Sequence, residues 1–511
     1  MGDGSSSQIR LVYSCELKPP VCYTALSHCW GRLHIKTLLE SNMSELQQGV
    51  ELRELPRTFQ DAVGIVRTLG MRYLWIDSLC IVQDSKDDWV REAARMGDVY
   101  RQAELTIAAA AGEDGNAGLF SPRERDWEAC LFESRATGES GWVGIVPSDW
   151  DREWEKASGS HLQTRAWTFQ ERVLSTRVLH FGKGGLFWEC RSSCATEICQ
   201  RGLPHANLYS GVDWTAPNLR PVKPAVLTPK ERRWDTNPRA AVTRWFELVE
   251  EYSSRDLTVA TDKLIALSGI AKRIRQLEYA ELEYVAGNWG GKWFGLCLSW
   301  ASLRSYDSTA CERPASRLAG PSPYVAPSWS WVSFNGPVVY PFERMVRGIE
   351  RVIGSALVSV VGKTIGYATG DDAGQVTGGH VILKGNAKAA IVGAVAASRQ
   401  RVLVGPHRKF MPAWELVQQN GGAFPYPADV LLDEGSLRTG AGEVICLPLV
   451  GFEDECRDAL EKNPTFTVAV LLLEETRDRE YRRIGIAYMW DVPQAGSWFD
   501  DEASRSTITL T

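Results

Sequence analysis

An aromatic ring and a carboxylate stand four positions apart in the segment RAWTFQERVLS, residues 165–175. If this segment is a helix, Trp167 and Glu171 lie one turn apart on the same face. A planar ring can then stack on the indole while the carboxylate meets an attached sugar. A fixed carboxylate stabilises the positive charge that develops on a sugar during bond cleavage. Glu171 is therefore a candidate catalytic residue for glycosidic chemistry.

The same pair also fits a purely structural role. Trp167 is then part of a hydrophobic core, and Glu171 is held in a cleft by an ion pair with Arg165 or Arg57. Ion-pair networks often hold carboxylates in this way. Both interpretations of the pair stay open at this stage.

A thiol and an imidazole form a second candidate centre. Cys80 activated by His28, with Asp77 or Asp84 orienting the imidazole, is a combination that forms covalent acyl or thiohemiacetal intermediates. Such a centre suits acyl transfer, hydrolysis or cyclisation. The competing interpretation is a buried, inert thiol and a histidine that is hydrogen-bonded within the structure.

Alternating strand and helix patterns must position these residues. Strands are predicted at residues 22–27, 73–76, 105–111 and 177–181, and helices after Pro56, after Ser85 and over residues 165–174. Ser85 and Asp88 have the spacing of a capping box. The alternation predicts a doubly wound α/β domain with a parallel sheet, in which ligands bind at the carboxyl ends of the strands. A flavodoxin-like strand order would bring His28, Asp77 and Glu171 to one rim.

The pattern changes along the chain and predicts three regions. Residues 1–200 form the α/β domain, with a polar, Gly-rich insertion at about 112–160 that acts as a lid or a decoration. Residues 201–340 combine a Pro-rich linker with a helical, Trp-rich region. Residues 341–511 alternate Val, Ile and Thr runs with Gly-rich turns, which predicts a β-sandwich or barrel.

Composition limits the kinds of partner. The 511 residues include 57 Lys and Arg against 63 Asp and Glu, so that the net charge is −6 with mixed signs, which argues against nucleic-acid binding. No apolar run is long enough for a membrane span and the start MGDGSSSQIR contains no signal-peptide core, so we expect a cytoplasmic protein. The twelve cysteines are expected to be reduced thiols, and no metal site is predicted.

Three segments resemble the signature of a known family in order and spacing. They are YTALSHCWG at 23–31, the block from LPRTFQDAV to ELTIAAA at 55–110, and RAWTFQERVLS at 165–175. Later portions, DKLIALSGIA at 262–271, YVAGNW at 284–289 and YVAPSWSWVS at 324–333, fit the same family. The chain thus resembles fungal heterokaryon incompatibility (HET) proteins over most of its length, most strongly in the first third.

The resemblance implies a fold and an activity. The best-known HET proteins trigger cell death when incompatible fungal cells fuse, and their domain is similar in topology to TIR domains. A strand that ends at Ser27 and reaches Gly31 resembles the opening strand and loop of a TIR domain. Trp167 followed by Glu171 resembles the Trp-x-x-x-Glu element of NAD-cleaving TIR domains, in which the glutamate is catalytic. The long insertion before this element departs from that pattern.

Three functions remain open after this comparison. The first is a HET effector whose TIR-like pocket cleaves NAD as a substrate, with no cofactor required. The second is a biosynthetic or metabolic enzyme with a Cys80 and His28 centre, and the third is a non-catalytic module that acts by forming a homo-oligomer. In either enzyme a small molecule is the ligand. We expect it to contact Ser27, Trp30, Gly31, Arg57 and Trp167, with Glu171, Cys80, His28 and Asp77 as the catalytic candidates.

Overall fold

The chain divides into two compact units, Met1–Pro229 and Lys230–Thr511. The computed structural model describes residues 6–31, 35–120, 129–133, 140–144, 160–191, 193–197, 200, 238–276, 282–303, 324–341, 357–394, 403–405, 408–410, 414–417, 428–433, 442–453, 465–476, 480–493 and 505–511. Much of the predicted insertion and nearly all of the Pro-rich stretch, 204–238, lie outside the described residues.

A six-stranded sheet forms the centre of the first unit. Its strands are β1 (Tyr23–Ser27), β2 (Tyr73–Ile76), β3 (Leu105–Ala108), β4 (Arg177–Gly182), β5 (Gly185–Cys190) and β6 (Cys194–Thr196). They are arranged in the order β2-β1-β3-β4-β5-β6. The first four strands are parallel, as predicted, whereas β5 and β6 are antiparallel additions. Only two residues separate β4 from β5, a connection that permits an antiparallel neighbour but not a parallel one.

Helices cover both faces of this sheet. They are α1 (Arg57–Thr68), α2 (Lys86–Gln102) and α3 (Ala166–Leu174). The core on the α1 face includes Leu26, Phe59, Ala62, Val66, Ile76 and Ile107. The core on the other face includes Ala25, Met96, Tyr100 and Ala103, with Tyr23, Trp75 and Trp167 packed against it. Because neighbouring strand residues point to opposite faces, β1 contributes to both cores and the predicted doubly wound arrangement is present.

Local sequence explains where these helices begin and end. Pro56 immediately precedes α1, and Gly70, with a φ of +68°, follows its last turn in the left-handed conformation that favours glycine. Ser85 precedes α2, but the predicted capping box is wrong because the Ser85 side chain makes no capping hydrogen bond. The Asp88 carboxylate instead accepts a hydrogen bond of 2.8 Å from the amide of Val82. This bond fixes the loop that leads into α2.

Smaller elements complete the first unit. Strands Gln8–Ile9 and Val50–Glu51 pair, as do Ala129–Glu133 and Ser140–Gly144. Short α-helices occupy Met43–Gln48 and Asp77–Cys80, and 3-10 turns occupy Ser14–Glu16, Glu40–Asn42, Leu52–Glu54 and His161–Thr164. The Asp77–Cys80 helix matters most, because it begins directly after β2 and holds two of the candidate site residues.

The second unit combines helices with a large sheet. Its helices are α4 (Pro238–Ser253), α5 (Ile265–Gln276) and the short Phe294–Cys297, with 3-10 turns at Ala260–Asp262, Gly291–Trp293 and Trp331–Ser333. Small strand pairs join Tyr284–Val285 to Asn288–Trp289, Ala301–Ser302 to Val338–Val339, and Leu403–Gly405 to Arg408–Phe410. The prediction of helices followed by a β-rich C-terminal region is confirmed.

Nine strands form that large sheet. They are β7 (Ser359–Tyr367), β8 (Val376–Asn386), β9 (Lys388–Ala394), β10 (Trp414–Val417), β11 (Ala428–Leu432), β12 (Gly442–Glu453), β13 (Thr465–Glu475), β14 (Tyr481–Pro493) and β15 (Arg505–Leu510). The order is β7-β8-β15-β14-β13-β12-β9-β10, and β11 pairs with β14. Neighbours are antiparallel except for a short contact between β14 and β15.

An aromatic core stabilises the helical part of the second unit. Trp245, Trp289, Trp300, Trp329 and Trp331 are almost fully buried. The indole N–H groups of Trp245 and Trp331 both donate to the carbonyl of Gly287, in a tight turn with positive φ values. These tryptophans are therefore structural within this unit. None of the described helices is long and apolar enough to cross a membrane.

Candidate functional site

The carboxyl ends of the parallel strands carry most of the predicted site residues. Leu26 on β1 is in register with Ile76 on β2, and Ser27 is in register with Ala108 on β3. His28 and Asp77 follow these strand ends directly and so lie at the same edge of the sheet. The register therefore places His28 and Asp77, two of the predicted site residues, at one rim.

Glu171 on α3 reaches this edge and is buried there, with 5% of its surface exposed. The hydroxyl groups of Ser27 and Tyr100 lie close enough to its carboxyl group to affect its pKa. Burial raises the pKa of Glu171 to about 7, and the negative charge of Asp77 adds to this effect. The hydrogen bond from Ser27, the charge of Arg165 and the hydrogen bond from Tyr100 all oppose the rise in pKa. Near neutral pH this carboxyl group therefore exists in both protonation states.

Tyr100 is a further residue at this site, and no motif in the sequence indicates it. Its hydroxyl donates a hydrogen bond of 3.1 Å to the carbonyl of Leu26 and also lies within hydrogen-bonding reach of Glu171. Its ring packs edge-to-face on Trp75, with 5.5 Å between the ring centroids. Burial raises the pKa of Tyr100 well above its ordinary value, so that the hydroxyl keeps its proton. The hydroxyl has a single proton, which it can give either to the Leu26 carbonyl or to the Glu171 carboxylate.

A second carboxylate, Asp77, is fixed by two hydrogen bonds on the neighbouring strand end. The Trp30 indole Nε1 donates to Asp77 Oδ2 at 2.9 Å, and the Ser78 amide donates to Asp77 Oδ1 at 2.7 Å. The same Oδ1 lies 3.7 Å from Nδ1 of His28. The Asp77 side chain keeps 22% of its surface exposed, so it is the more accessible of the two carboxylates.

The His28 imidazole lies at the strand end on the side of α1. Its ring packs edge-to-face on Phe59, with 4.9 Å between the ring centroids, and only 1% of the side chain is exposed. Burial lowers the pKa of His28, the charge of Asp77 raises it and that of Arg165 lowers it again. The imidazole is therefore neutral near pH 7.

Arg165, the residue before α3, places a positive charge close to both His28 and Glu171. Its Nη1 donates a hydrogen bond of 2.9 Å to the carbonyl oxygen of His28, and its guanidinium also bonds the Cys29 side chain. Its charge lowers the pKa of both Glu171 and His28. The other proposed partner of Glu171, Arg57, pairs with a different carboxylate: its side chain is 62% exposed and its Nε lies 3.0 Å from Oδ1 of Asp61.

Two further predicted contact residues have clear structural surroundings. Trp167 packs edge-to-face on Trp89, with 6.4 Å between the ring centroids, and is partly buried in the core between α2 and α3. Gly31 has a φ of +71°, and a Cβ placed on it would lie 2.3 Å from Cβ of Asp114. The loop after β1 thus requires glycine at position 31, both for its backbone and for the close approach of the segment that follows β3.

The second candidate centre, Cys80 with His28, does not form a hydrogen-bonded pair. Among the described residues neither ring nitrogen of His28 has a hydrogen-bond partner, so Cys80 does not bond the imidazole. Burial raises the pKa of the partly exposed Cys80 thiol to about 12. A backbone hydrogen bond involving Ile76 lowers it, and the charges of Asp77 and Glu92 raise it further. The thiolate is therefore scarce at neutral pH, and the nucleophile that this chemistry needs is suppressed.

Comparison with known families gives a match in the first unit. Residues 23–171 match the family model described as heterokaryon incompatibility protein (HET). The match supports a heterokaryon-incompatibility-type protein. We call residues 23–171 the HET segment, and it contains every residue of the rim from Ser27 to Glu171. No curated protein and no solved structure matches the chain.

A buried ionic cluster lies just beyond the HET segment. Arg172 on α3 donates through Nε and Nη2 to both carboxylate oxygens of Glu189 on β5, at 3.0 and 3.2 Å. The His180 Nε2 lies 3.2 Å from the same carboxylate, and all three residues are buried. Because Arg172 is next to Glu171 in sequence, this cluster fixes α3 against the antiparallel edge of the sheet and so positions Glu171. Within the described residues no group of His, Cys, Asp and Glu has the arrangement of a metal site.

Proposed function

We propose that the HET segment forms a TIR-like pocket that cleaves the bond between nicotinamide and ribose in NAD, with Glu171 as the catalytic residue. The observation that carries the proposal is the buried Glu171 carboxyl group held between Ser27 and Tyr100 at the carboxyl edge of a parallel sheet. The strand order β2-β1-β3-β4 supports the TIR-like part of the proposal, because flavodoxin-like sheets begin in this order and bind ligands at this edge.

The chemistry needs one negative charge in a dry environment. When the bond between nicotinamide and ribose breaks, nicotinamide leaves with the bonding electron pair and the ribose carbon becomes electron-poor. The Glu171 carboxylate stabilises this developing positive charge more strongly in its buried position than it would in water. Nicotinamide departs as a neutral molecule, so the reaction needs neither a general acid nor a cofactor.

The geometry favours this reaction over Cys80 chemistry. The raised pKa of the Cys80 thiol and the lack of a bond from Cys80 to His28 both work against a thiolate nucleophile. Glu171, in contrast, lies among hydrogen-bond donors that favour its ionised form. At pH 8, above its pKa of about 7, most of the carboxyl group is ionised and available for the reaction.

The biological part of the proposal follows from the family. A cytoplasmic HET-type protein that destroys NAD when it self-associates would act as an incompatibility and cell-death effector. Homo-oligomer formation then regulates the activity, and NAD is the small-molecule partner. The match of residues 23–171 to the heterokaryon incompatibility family supports this role.

The test is nicotinamide release by the purified full-length chain at pH 8, over a range of protein concentrations that includes self-association. Glu171→Gln keeps the shape of the side chain and removes its charge, so turnover should fall by roughly 10²- to 10⁴-fold, or about 3–5 kcal/mol. Binding of NAD should change far less. The matched control is Glu104→Gln, at the opposite end of the sheet, where the side chain is 52% exposed. A wild-type protein that releases no nicotinamide at any concentration overturns the proposal.

A further inference from the structure

The His28 imidazole is buried without a hydrogen-bond partner for either nitrogen among the described residues. A buried polar group normally finds a partner, and one that does not calls for a functional explanation. Packing alone does not require histidine at this position, since the edge contact with Phe59 would suit an apolar ring equally well. The unpaired nitrogens therefore indicate that the imidazole serves a group that binds at the rim.

The neighbours of His28 select one tautomer. Asp77 Oδ1, fixed by the Ser78 amide, lies 3.7 Å from Nδ1 of the imidazole, and Trp30 holds the other carboxylate oxygen. A carboxylate only accepts hydrogen bonds, so it favours the tautomer with the proton on Nδ1. The distance is longer than a direct hydrogen bond, but such contacts commonly shorten when substrate binds. Nε2 then carries a free electron pair.

His28 and Glu171 reach the same rim from different faces of the sheet. The imidazole packs against α1, whereas Glu171 belongs to α3 and lies close to Ser27, the residue before His28. Asp77 and Arg165 are close enough to affect the pKa of both side chains. A sugar between the strand ends would therefore have the carboxylate on one side and the imidazole on the other. This arrangement leaves the imidazole side for an attacking water molecule.

We propose that His28 is the base that activates this water, and that Asp77 and Trp30 are positioning residues that orient the imidazole. The inference rests on the proposed NAD cleavage and adds the nucleophilic half of that reaction. The water oxygen forms a bond to the ribose carbon as the bond to nicotinamide breaks, and nicotinamide leaves with that electron pair. The proton of the water moves to Nε2, and the resulting imidazolium is stabilised by the Asp77 carboxylate.

The experiment compares attack by water with attack by a nucleophile that has no proton to lose. Full-length protein is supplied with NAD in the presence of a soluble pyridine base, and two products are measured: ADP-ribose from hydrolysis and the exchanged dinucleotide from attack by the pyridine nitrogen. His28→Asn keeps a donor toward Asp77 but removes the base. Hydrolysis should fall by roughly 10²- to 10⁴-fold, while exchange should fall by less than about 10-fold. His161→Asn, at an exposed position, is the matched control.

The outcomes distinguish this inference from the function on which it rests. If the wild-type protein forms neither product, the proposed NAD cleavage fails and the role of His28 fails with it. If the wild-type protein forms both, but His28→Asn lowers them equally or not at all, only the role of His28 is overturned. Asp77→Asn gives a second measurement if His28→Asn does not fold: it should lower hydrolysis more than exchange, and an equal loss of both would contradict the positioning role.

Discussion

The Ser27 hydroxyl at the end of β1 lies close enough to the carboxyl group of Glu171 on α3 to lower its pKa. This contact joins the first strand of the sheet to the helix that follows the third strand. It also adjusts the acidity of Glu171, because a hydrogen bond to the carboxylate lowers its pKa while burial raises it. The balance leaves the pKa at about 7, so that small changes around Glu171 should be visible in the pH dependence of the reaction.

Replacement of Ser27 by alanine should shift that pH dependence. In the proposed reaction turnover requires the ionised carboxylate, so activity should rise with pH through the pKa of Glu171. Ser27→Ala removes a hydrogen bond that lowers this pKa, and the rising limb should move to higher pH by about 1 unit, which corresponds to roughly 1.4 kcal/mol. The measurement is kcat/KM for NAD between pH 5 and pH 9. Ser41→Ala, at an exposed position, is the control. A shift to lower pH would contradict the assignment.

Ionisation of Glu171 should also affect stability. The folded-state pKa is raised from 4.5 to about 7, so the stabilising contribution is fully present below pH 4.5 and is lost as pH rises through 7. Glu171→Gln removes this titration. The free energy of unfolding of the variant, minus that of wild type, should therefore be roughly 2–3 kcal/mol larger at pH 8 than at pH 5. Urea denaturation at the two pH values measures this difference.

The stability measurement separates a catalytic from a structural Glu171. A buried charge that is retained for chemistry destabilises the fold, and its neutralisation at pH 8 is then stabilising. If Glu171 instead supports the fold through an ion pair, Glu171→Gln should lower the free energy of unfolding at pH 8. That result would favour the structural interpretation that the sequence leaves open.

Gly31 offers a test of the loop beside the site. Gly31→Ala should lower both the melting temperature and the activity, because φ is +71° and the new Cβ would lie 2.3 Å from Cβ of Asp114. Gly70→Ala is a close control: φ is +68°, but no atom lies within 4 Å of its Cβ. Both variants should lose about 1 kcal/mol from backbone strain, and Gly31→Ala should lose at least another 1 kcal/mol from the clash. Equal losses would show that Asp114 moves away freely.

The main features of the fold follow from local sequence signals. The alternation of strands and amphipathic helices predicts the doubly wound sheet. The spacing of apolar residues in each strand and helix shows which of its faces is buried. Strands β5 and β6 are not predicted by this alternation. They pair as hairpins, β4 with β5 and β5 with β6, and the turns contain no Asn-Gly or Asp-Gly signal. Residues that follow strand ends, such as His28 and Asp77, are predictable because the topology brings them to one edge.

Other features of the site depend on tertiary contacts that no local pattern contains. Tyr100 belongs to the apolar stripe of α2, so its periodicity predicts only a core residue. Its hydroxyl instead bonds the carbonyl of Leu26 on β1 and lies near Glu171 on α3, two segments distant in sequence. Arg57 follows the proline at the start of α1, but this position does not predict where its side chain points. In the structure the side chain pairs with Asp61. The raised pKa of Glu171 results from burial by several elements at once.

The thiol of Cys80 provides the last test, because it separates the two enzymatic interpretations without an activity assay. Cys15 and Cys22 are exposed, whereas Cys80 is only partly exposed and its pKa is raised to about 12. A thiol reagent such as iodoacetamide reacts with the thiolate, so at pH 8 it should label Cys15 and Cys22 well before Cys80. Mass spectrometry of peptides at successive times measures the order. Labelling of Cys80 ahead of the exposed thiols would indicate an activated nucleophile and would favour covalent chemistry at Cys80 over the Glu171 mechanism.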